Sequence, residues 1–126
     1  LTNHTTSWCS AGTSVEGYAA FMSRIKISLN FSSRNAKKKI MTGRTWESIL
    51  AGCLLLEEDN DEIRNYFVPF VHYIPFTTIE ELRAYLDFFL RHEDVRQQIA
   101  EQAFRWYEEH FSKQRVWSDL IRIAGV

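Results

Sequence analysis

The segment that most constrains the fold of this chain is a short apolar run, Cys53–Leu56. It follows Gly52 and is ended by a polar and acidic stretch, residues 57–61. A strand with one face in water alternates apolar and polar side chains, whereas a strand covered on both faces does not. The run therefore predicts a strand buried on both faces, which is typical of a parallel sheet.

Two other segments have strand patterns. Ile25–Phe31 alternates apolar and polar residues, and Val71–Ile74 is a third candidate that we expect to stop at Pro75. Apolar residues at helical spacing, with capping and stop residues at the ends, predict helices between these strands. They cover Val15–Arg24, the segment from Thr42 or Gly43 to Gly52, and Asp61–Phe67.

The last part of the chain predicts three helices. Thr78 and Glu81 have the spacing of a capping box, in which each side chain bonds the backbone of the other residue at a helix start. Apolar residues then recur at helical spacing over Ile79–Leu90, Val95–Tyr107 and Val116–Ala124.

Strands that alternate with helices along a chain are joined by right-handed crossovers. We therefore expect an α/β fold: a Rossmann-like parallel sheet with helices on both faces and with the last three helices packed on it. The 126 residues suit one domain, residues 15–126, preceded by a polar loop or tail over residues 1–14. The chain begins at Leu1 rather than Met, which suggests a fragment or a processed form of a longer protein.

Charge and composition argue against several classes of protein. The formal net charge is −1, so no excess of positive charge favours nucleic acid or an anionic membrane. No apolar run approaches the roughly 20 residues that a membrane span needs. Two cysteines, Cys9 and Cys53, are too few for a disulfide scaffold. We expect a cytoplasmic protein with reduced thiols, no nucleic-acid partner and no transmembrane segment.

The carboxyl ends of the predicted strands are where an open parallel sheet binds its ligand. One of these ends leads through a basic stretch to the helix start Thr42-Gly43-Arg44-Thr45. Free N–H groups and a partial positive charge at a helix start suit a phosphate. Gly43 would let a ligand approach the backbone, and Arg44 could bond a diphosphate bidentately. Spacing alone favours the alternative, a solvated basic loop.

Glu47, shortly after that helix start, can accept hydrogen bonds from the two adjacent hydroxyls of a ribose, as acidic residues do in dinucleotide sites. The alternative is a carboxylate that only complements the helix dipole, and spacing alone favours it. Neither G-x-G-x-x-G nor a Walker lysine motif occurs in the chain.

Other polar clusters are interpreted as structural. The acidic residues at the end of the second strand have no calcium-loop spacing, so we interpret them as a solvated surface and predict no metal site. They are Glu57, Glu58, Asp59, Asp61 and Glu62. His72 is expected to be structural within its strand, and His92 and His110 to lie near helix C-termini.

An ordered set of segments resembles a known family. The segments are Tyr18–Phe31, Gly43–Leu56, Tyr66–Phe67, Val71–Tyr73, Ile79–Leu82 and Arg96–Ala100. Their order resembles the C-terminal domain of group 1 glycosyltransferases of GT-B fold, particularly the CgeB-like branch typified by spore-maturation proteins. The stretch from His72 to Pro75 is also similar to CAP10-type glycosyltransferases. The resemblance covers roughly residues 15–125.

The resemblance implies a domain that binds a nucleoside-diphosphate sugar as donor substrate and needs no other cofactor. The Arg-x-aromatic-Glu-x-x-x-x-Gly pattern of the family falls on Arg44, Trp46, Glu47 and Gly52. By resemblance, Arg44 meets the diphosphate and Glu47 the ribose. Many retaining GT-B enzymes have a second glutamate eight positions earlier, where this chain has Lys39. The resemblance therefore leaves open whether the reaction retains or inverts the sugar configuration.

In GT-B enzymes the acceptor, and usually the catalytic base, lie on a separate N-terminal domain. The resemblance thus implies a partner domain outside these residues, an unknown acceptor and an isolated chain that is inactive. The alternative is a non-catalytic α/β binding or scaffold module derived from such a domain. A receiver domain is disfavoured, because Asn30 and Pro75 stand at strand ends where it needs acidic residues.

Overall fold

The computed structural model describes residues 14–35, 38–39 and 41–125. Its helices are α1 Val15–Ser23, α2 Gly43–Leu50, α3 Ile79–Arg91, α4 Glu93–His110 and α5 Lys113–Ala124, and its strands are β1 Ile27–Asn30, β2 Ser33–Asn35, β3 Lys38–Lys39, β4 Leu54–Glu58 and β5 Ile74–Phe76. The predicted tail lies outside the described residues, apart from Ser14. The Ser14 hydroxyl accepts a hydrogen bond from the Gly17 N–H at 3.0 Å and caps α1.

β1, β4 and β5 form a three-stranded sheet in the order β1-β4-β5, and both pairings are parallel. The residues of the central run, Leu54–Leu56, are no more than 1% exposed. The prediction of a strand buried on both faces is confirmed. The strand begins one residue late, because the Cys53 N–H bonds the Ser48 carbonyl at the end of α2. It continues to Glu58, because Glu57 and Glu58 still pair with the neighbouring strands.

The third strand lies further along the chain than predicted. It spans Ile74–Phe76 and contains Pro75, which we had expected to end it. Among the described strands, β5 pairs with β4 alone, so one side of it needs no hydrogen-bond partner and a proline is tolerated. The first half of the predicted strand, Val71 and His72, is a turn instead, in which the His72 N–H bonds the Val68 carbonyl at 2.9 Å.

Two other local predictions also change. The stretch after β1, expected to be a loop, contains a short antiparallel ribbon of β2 with β3. The helix predicted over Asp61–Phe67 is a single 3-10 turn, Ile63–Asn65. Asn60 caps that turn, since its Oδ1 accepts from the Ile63 N–H at 3.0 Å. Ile63 and Phe67 are both buried in the core, and the Phe67 N–H bonds the Ile63 carbonyl at 2.9 Å.

The two faces of the sheet carry two separate apolar clusters. Since side chains alternate along a strand, Leu54 and Leu56 face one way and Leu55 the other. The first cluster lies beneath α3 and the first half of α4, and comprises Leu54, Leu56, Ile74, Phe76, Leu82, Phe89 and Ile99. The second lies beneath α2 and the second half of α4, and comprises Ile49, Leu55, Ile63, Phe67, Tyr73 and Ala103. Helices cover both faces, which confirms the α/β, Rossmann-like fold class.

The last helix departs from the prediction. α5 has no buried side chain, and it packs chiefly against α4 rather than on the sheet. Its large apolar residues are between 45% exposed, for Val116, and 79% exposed, for Ile123. Across the described ranges, no helix combines the length and the apolar content that crossing a bilayer requires.

Two predicted signals at helix ends are confirmed. At the start of α3, the Thr78 hydroxyl accepts from the Glu81 N–H at 3.1 Å, and Glu81 Oε1 accepts from the Thr78 N–H at 3.3 Å. This is the capping box that the spacing predicts. At the other end of α2, Gly52 has φ 80°, a left-handed conformation that suits the residue after a helix C-terminus.

Candidate functional site

A cleft of about 330 Å³ opens at the carboxyl edge of the sheet, beside the start of α2. It is lined by Asn30, Phe31, Thr42, Arg44 and Glu47. β1 ends at Asn30 and α2 begins at Gly43, so the crossover between β1 and β4 brings these residues to one place. This is the edge at which open parallel sheets bind ligands.

The start of α2 has no side-chain cap. Thr42 occupies the N-cap position with an extended backbone, but its hydroxyl makes no capping hydrogen bond. That hydroxyl oxygen instead accepts from Asn30 Nδ2 at 3.1 Å. The first N–H groups of a helix have no partner within the helix, so an uncapped start exposes donors and partial positive charge to the cleft.

Gly43 and Arg44 occupy the first turn of α2, and both are exposed. A Cβ added to Gly43 would meet nothing within 4 Å, so the packing of the protein does not require a glycine there. Arg44 lines the cleft, and no carboxylate of the described ranges forms a salt bridge with it. Its guanidinium can therefore donate to an anion without first leaving a partner.

Glu47 lies one turn further along α2, at the same cleft. Its Oε1 accepts a hydrogen bond from the Tyr18 hydroxyl at 2.8 Å. Tyr18 belongs to α1, so this bond ties α1 to the site helix and fixes one carboxylate oxygen. Among the described residues, none donates a hydrogen bond to the second oxygen, which can accept from a ligand. The sequence does not place Tyr18 at the site, because 29 residues separate it from Glu47.

Thr45 is placed differently from the other predicted residues. It is fully buried, and its hydroxyl donates to Glu57 Oε1 at 2.9 Å. Its N–H bonds the Thr42 carbonyl at 3.1 Å. The side chain thus faces the interior beneath the cleft, whereas the prediction had it contact the ligand. Every third or fourth residue of a helix faces the core, and in α2 that face includes Thr45 and Ser48.

Glu57 is the buried centre of a polar network below the cleft. Its two oxygens accept from Asn30 Nδ2 at 3.0 Å each, from Thr45 Oγ1 at 2.9 Å and from Asn60 Nδ2 at 3.4 Å. Burial raises the pKa of Glu57, and the nearby charge of Glu58 adds to this, while the hydrogen bonds from Asn30, Thr45 and Asn60 act in the opposite direction. The network joins β1, α2 and the end of β4.

The interpretation of the acidic cluster as solvated surface is wrong for Glu57, which is 0% exposed. Glu57 follows Leu55 by two positions, so the alternation of a strand places it on the α2 face of the sheet. Had the predicted strand extended past the apolar run to Glu57, the same alternation would have predicted that Glu57 is buried.

The other members of the cluster bond to groups outside it. Asp59 and Asp61 both pair with Arg64. Glu62 accepts from the Met41 N–H at 3.2 Å. Among the described residues, no group of three metal-ligating side chains is close enough to hold an ion.

Glu58 anchors the chain after β1. It accepts from the N–H groups of Ser32 and Ser33 and from the Ser33 hydroxyl, at 2.7–2.9 Å. Burial acts to raise the pKa of Glu58, but these hydrogen bonds and the charge of Lys39 hold it below its ordinary value. Lys39, eight positions before Glu47, lies in β3.

The three histidines in the described ranges, His72, His92 and His110, lie outside the cleft. His72 is buried in the turn before β5, where its Nδ1 accepts from the Val68 N–H at 2.9 Å and its ring stacks on Trp106. Burial, and then the proximity of His110, lowers the pKa of His72. His92 and His110 lie at the C-terminal ends of α3 and α4, as predicted.

Comparison with known proteins agrees with the fold. The model of a family described as glycosyl transferase-like matches residues 4–122, most of the chain. The chain therefore belongs to the glycosyl transferase-like family. A comparison with curated proteins gives no match.

Proposed function

We propose that the cleft binds the nucleoside diphosphate of a sugar donor, and that this domain is the donor-binding half of a glycosyltransferase acting on a separate acceptor. The observation that carries the proposal is that one cationic and one anionic side chain line the same cleft, at the uncapped start of α2. Arg44 and Glu47 line the same cleft, one turn apart. Membership of the glycosyl transferase-like family supports a donor of this chemical class.

Each feature of the cleft suits a different part of one ligand. The exposed donors at the start of α2 and the guanidinium of Arg44 favour a diphosphate. The carboxylate of Glu47, oriented by the Tyr18 hydroxyl, accepts from adjacent ribose hydroxyls. Gly43 leaves the backbone open to the phosphate, since no neighbouring atom fills the space around it.

The test is calorimetric titration of the 126-residue chain with UDP, GDP and ADP, with the matching nucleosides and with 2′-deoxy analogues. Hydrogen bonds to charged groups contribute about 1.5–3 kcal/mol, and 1.4 kcal/mol is about tenfold in affinity. We expect Arg44→Ala to weaken diphosphate binding about tenfold or more and to leave nucleoside binding nearly unchanged. Glu47→Gln should weaken binding by a similar factor, with a smaller loss for the 2′-deoxy ligand.

Matched controls come from α3, which covers the opposite face of the sheet. Arg83→Ala removes an exposed arginine side chain, and Glu80→Gln removes the charge of an exposed glutamate, both away from the cleft. Both should bind like the parent chain. If Arg44→Ala and Glu47→Gln also bind like the parent, the site lies elsewhere.

A non-catalytic scaffold is the second candidate, and the observation that favours it is Lys39 in place of a glutamate. Such a module would bind no nucleoside diphosphate. Titration of the parent chain therefore separates the two functions.

A further inference from the structure

Thr42 directly precedes α2, and it lines the cleft without capping the helix. Its backbone is extended, with φ −118° and ψ 167°, the conformation from which an N-cap hydroxyl ordinarily accepts a backbone N–H of the first turn. Thr78 has nearly the same backbone at the start of α3, with φ −122° and ψ 161°, and accepts from the Glu81 N–H at 3.1 Å. The Thr42 hydroxyl makes no such bond, although its backbone permits one.

The amide of Asn30 holds the Thr42 hydroxyl from beneath the cleft. Asn30 is only 7% exposed, and its Nδ2 donates to the Thr42 oxygen at 3.1 Å. The same Nδ2 donates to both oxygens of the buried Glu57 at 3.0 Å. Acceptors on two sides therefore fix the N–H₂ group, since reversing the amide would turn its own oxygen toward the Glu57 carboxylate.

The proton of the Thr42 hydroxyl is available to a ligand. A hydroxyl donates one hydrogen and accepts through its lone pairs, so the bond from Asn30 leaves the proton unused. Within the described ranges, the acceptor paired with this proton is Asn30 Oδ1, at 3.5 Å. That distance is well beyond the roughly 2.5–3.0 Å of an O–H···O bond. Because Thr42 is half-buried in the lining of the cleft, a ligand in the cleft can reach the proton.

Hydrogen-bond donors gather at the start of α2. Arg44, two positions after Thr42, lines the same cleft, and the first N–H groups of the helix have no partner within it. Glu47, one turn further along, offers acceptor oxygens instead. Several donors in one place match a group that accepts many hydrogen bonds, as the oxygens of a phosphate do.

We propose that the Thr42 hydroxyl binds the diphosphate of the ligand, as an uncharged donor beside Arg44. The hydrogen bonds then run in one direction, from Asn30 to the Thr42 oxygen and from the Thr42 proton to a phosphate oxygen. Thr42 therefore strengthens the binding of a diphosphate and not of a nucleoside. This inference rests on the proposed function, because that function places the diphosphate at the start of α2.

The test is titration of Thr42→Val and Thr42→Ser with UDP, GDP and ADP and with the matching nucleosides. Valine keeps the branched shape and removes the hydroxyl, whereas serine keeps the hydroxyl. A hydrogen bond to a charged group corresponds to about tenfold or more in affinity. We expect Thr42→Val to bind each nucleoside diphosphate about tenfold more weakly and each nucleoside as the parent does. Thr42→Ser should restore most of the affinity for the nucleoside diphosphate.

Thr78→Val is the matched control, because it removes a hydroxyl from an N-cap of the same conformation outside the cleft. It loses a capping bond, so its midpoint of thermal unfolding should fall by about a few degrees while its affinity stays that of the parent. Thr42→Val should show the reverse pattern. Its unfolding midpoint should match the parent, because Asn30 Nδ2 keeps Glu57 and Thr45 as acceptors, at 3.0 and 3.2 Å.

Three results overturn the inference. The first is a Thr42→Val chain that binds the nucleoside diphosphate as tightly as the parent. The second is an equal loss for the nucleoside, because the hydroxyl would then contact the nucleoside and not the phosphate. The third is a fall in the unfolding midpoint of Thr42→Val as large as that of Thr78→Val, which would assign the hydroxyl to the fold. Failure of the parent chain to bind any nucleoside diphosphate overturns the proposed function, and the inference falls with it.

Discussion

Glu57 is a carboxylate that the fold has removed from water without a countercharge. It is 0% exposed, and no salt bridge reaches it within the described part of the chain. Neutral donors on Asn30, Thr45 and Asn60 satisfy its oxygens instead. Hydrogen bonds of this kind offset the loss of hydration in part, and the charged form remains costly. The raised pKa of Glu57 expresses that cost.

The stability of the chain should depend on pH through Glu57. Because burial raises its folded-state pKa above the ordinary value of 4.5, the folded state holds the proton more tightly than the unfolded state. The resulting stabilisation is complete below that ordinary value and is lost as pH rises through the folded-state pKa. Glu57→Gln stays neutral, so its stability relative to the parent should improve as pH rises, by at most about 1.4 kcal/mol per pH unit.

Urea unfolding of the parent and of Glu57→Gln, from pH 4 upward, measures this difference in the free energy of unfolding. Glu80→Gln is the exposed control, and it should track the parent much more closely. A difference between the parent and Glu57→Gln that does not change with pH would mean that the pKa of Glu57 is the same in the folded and the unfolded state. The amide introduced by Glu57→Gln also carries an N–H₂ group that faces donors, so a constant offset between the two chains is expected and does not bear on the test.

The sequence was enough to predict which side chains lie together at the cleft. It was not enough to predict which side chains are buried beneath the cleft. Arg44 and Glu47 are three positions apart on one helix, so local spacing was enough to place them together. Thr45 and Glu57 meet only because β4 lies under α2, a tertiary contact that no local pattern encodes. The ligand roles of Gly43, Arg44, Thr45 and Glu47 remain predictions.

At the scale of one element, α2 is fixed by the packing of Trp46 in its middle and by a tight turn after its C-terminal end. Trp46 anchors it in the second apolar cluster, against Tyr66, Phe67 and Phe111 at centroid distances of 5.2–5.4 Å. At its far end the chain must turn sharply into β4. Gly52 makes that turn with φ 80°, a conformation that side chains with a Cβ rarely adopt.

Substitution by alanine should therefore have different effects on stability and binding at Gly43, the first residue of α2, and at Gly52, which follows its C-terminal end. Gly52→Ala should cost about 1 kcal/mol in the free energy of unfolding, because of its left-handed conformation, and should leave ligand affinity unchanged. Gly43→Ala has no positive φ to strain and open space around the new Cβ, so its stability should match or exceed that of the parent. It should nevertheless weaken nucleoside-diphosphate binding, because the methyl group obstructs the phosphate.

Chemical denaturation and titration of both variants check this pair. Loss of stability in Gly43→Ala would show that the glycine serves the fold. Full affinity in that variant would show that no ligand atom comes close to the backbone there.

The boundaries of elements proved harder to predict than their kinds. The three strands of the parallel sheet, their parallel pairing and the five α-helices follow from apolar periodicity, and the structure confirms them. The β2–β3 ribbon and the 3-10 turn do not follow from it. The position of β5 does not, because Pro75 is compatible with a strand only at a sheet edge, and the edge is known only once the strand order is known. The half-exposed face of α5 likewise has the same periodicity as a buried one.

At the scale of the whole molecule, one sheet carries the cleft at its carboxyl edge and the two apolar clusters on its faces. The cleft lies at the end of β1, while the fully buried residues Leu54–Leu56 lie in the neighbouring central strand, covered by helices on both faces. Exposing the amides of β4 requires both apolar clusters to open. Their exchange with solvent should therefore report unfolding of the whole domain.

Ligand binding at the cleft should protect β4 even though β4 does not line it. A ligand that binds only the folded state adds about 2.7 kcal/mol to the free energy of unfolding at 100 times its Kd, so exchange of the β4 amides should slow about 100-fold. At the same ligand concentration, Arg44→Ala with about tenfold weaker affinity should slow exchange only about tenfold. Hydrogen exchange followed by mass spectrometry or NMR, with UDP, GDP or ADP, measures both. Protection confined to α2, with β4 unchanged in a chain that titration shows to be saturated, would mean that β4 opens while the ligand stays bound, so that the sheet and the cleft do not unfold as one unit.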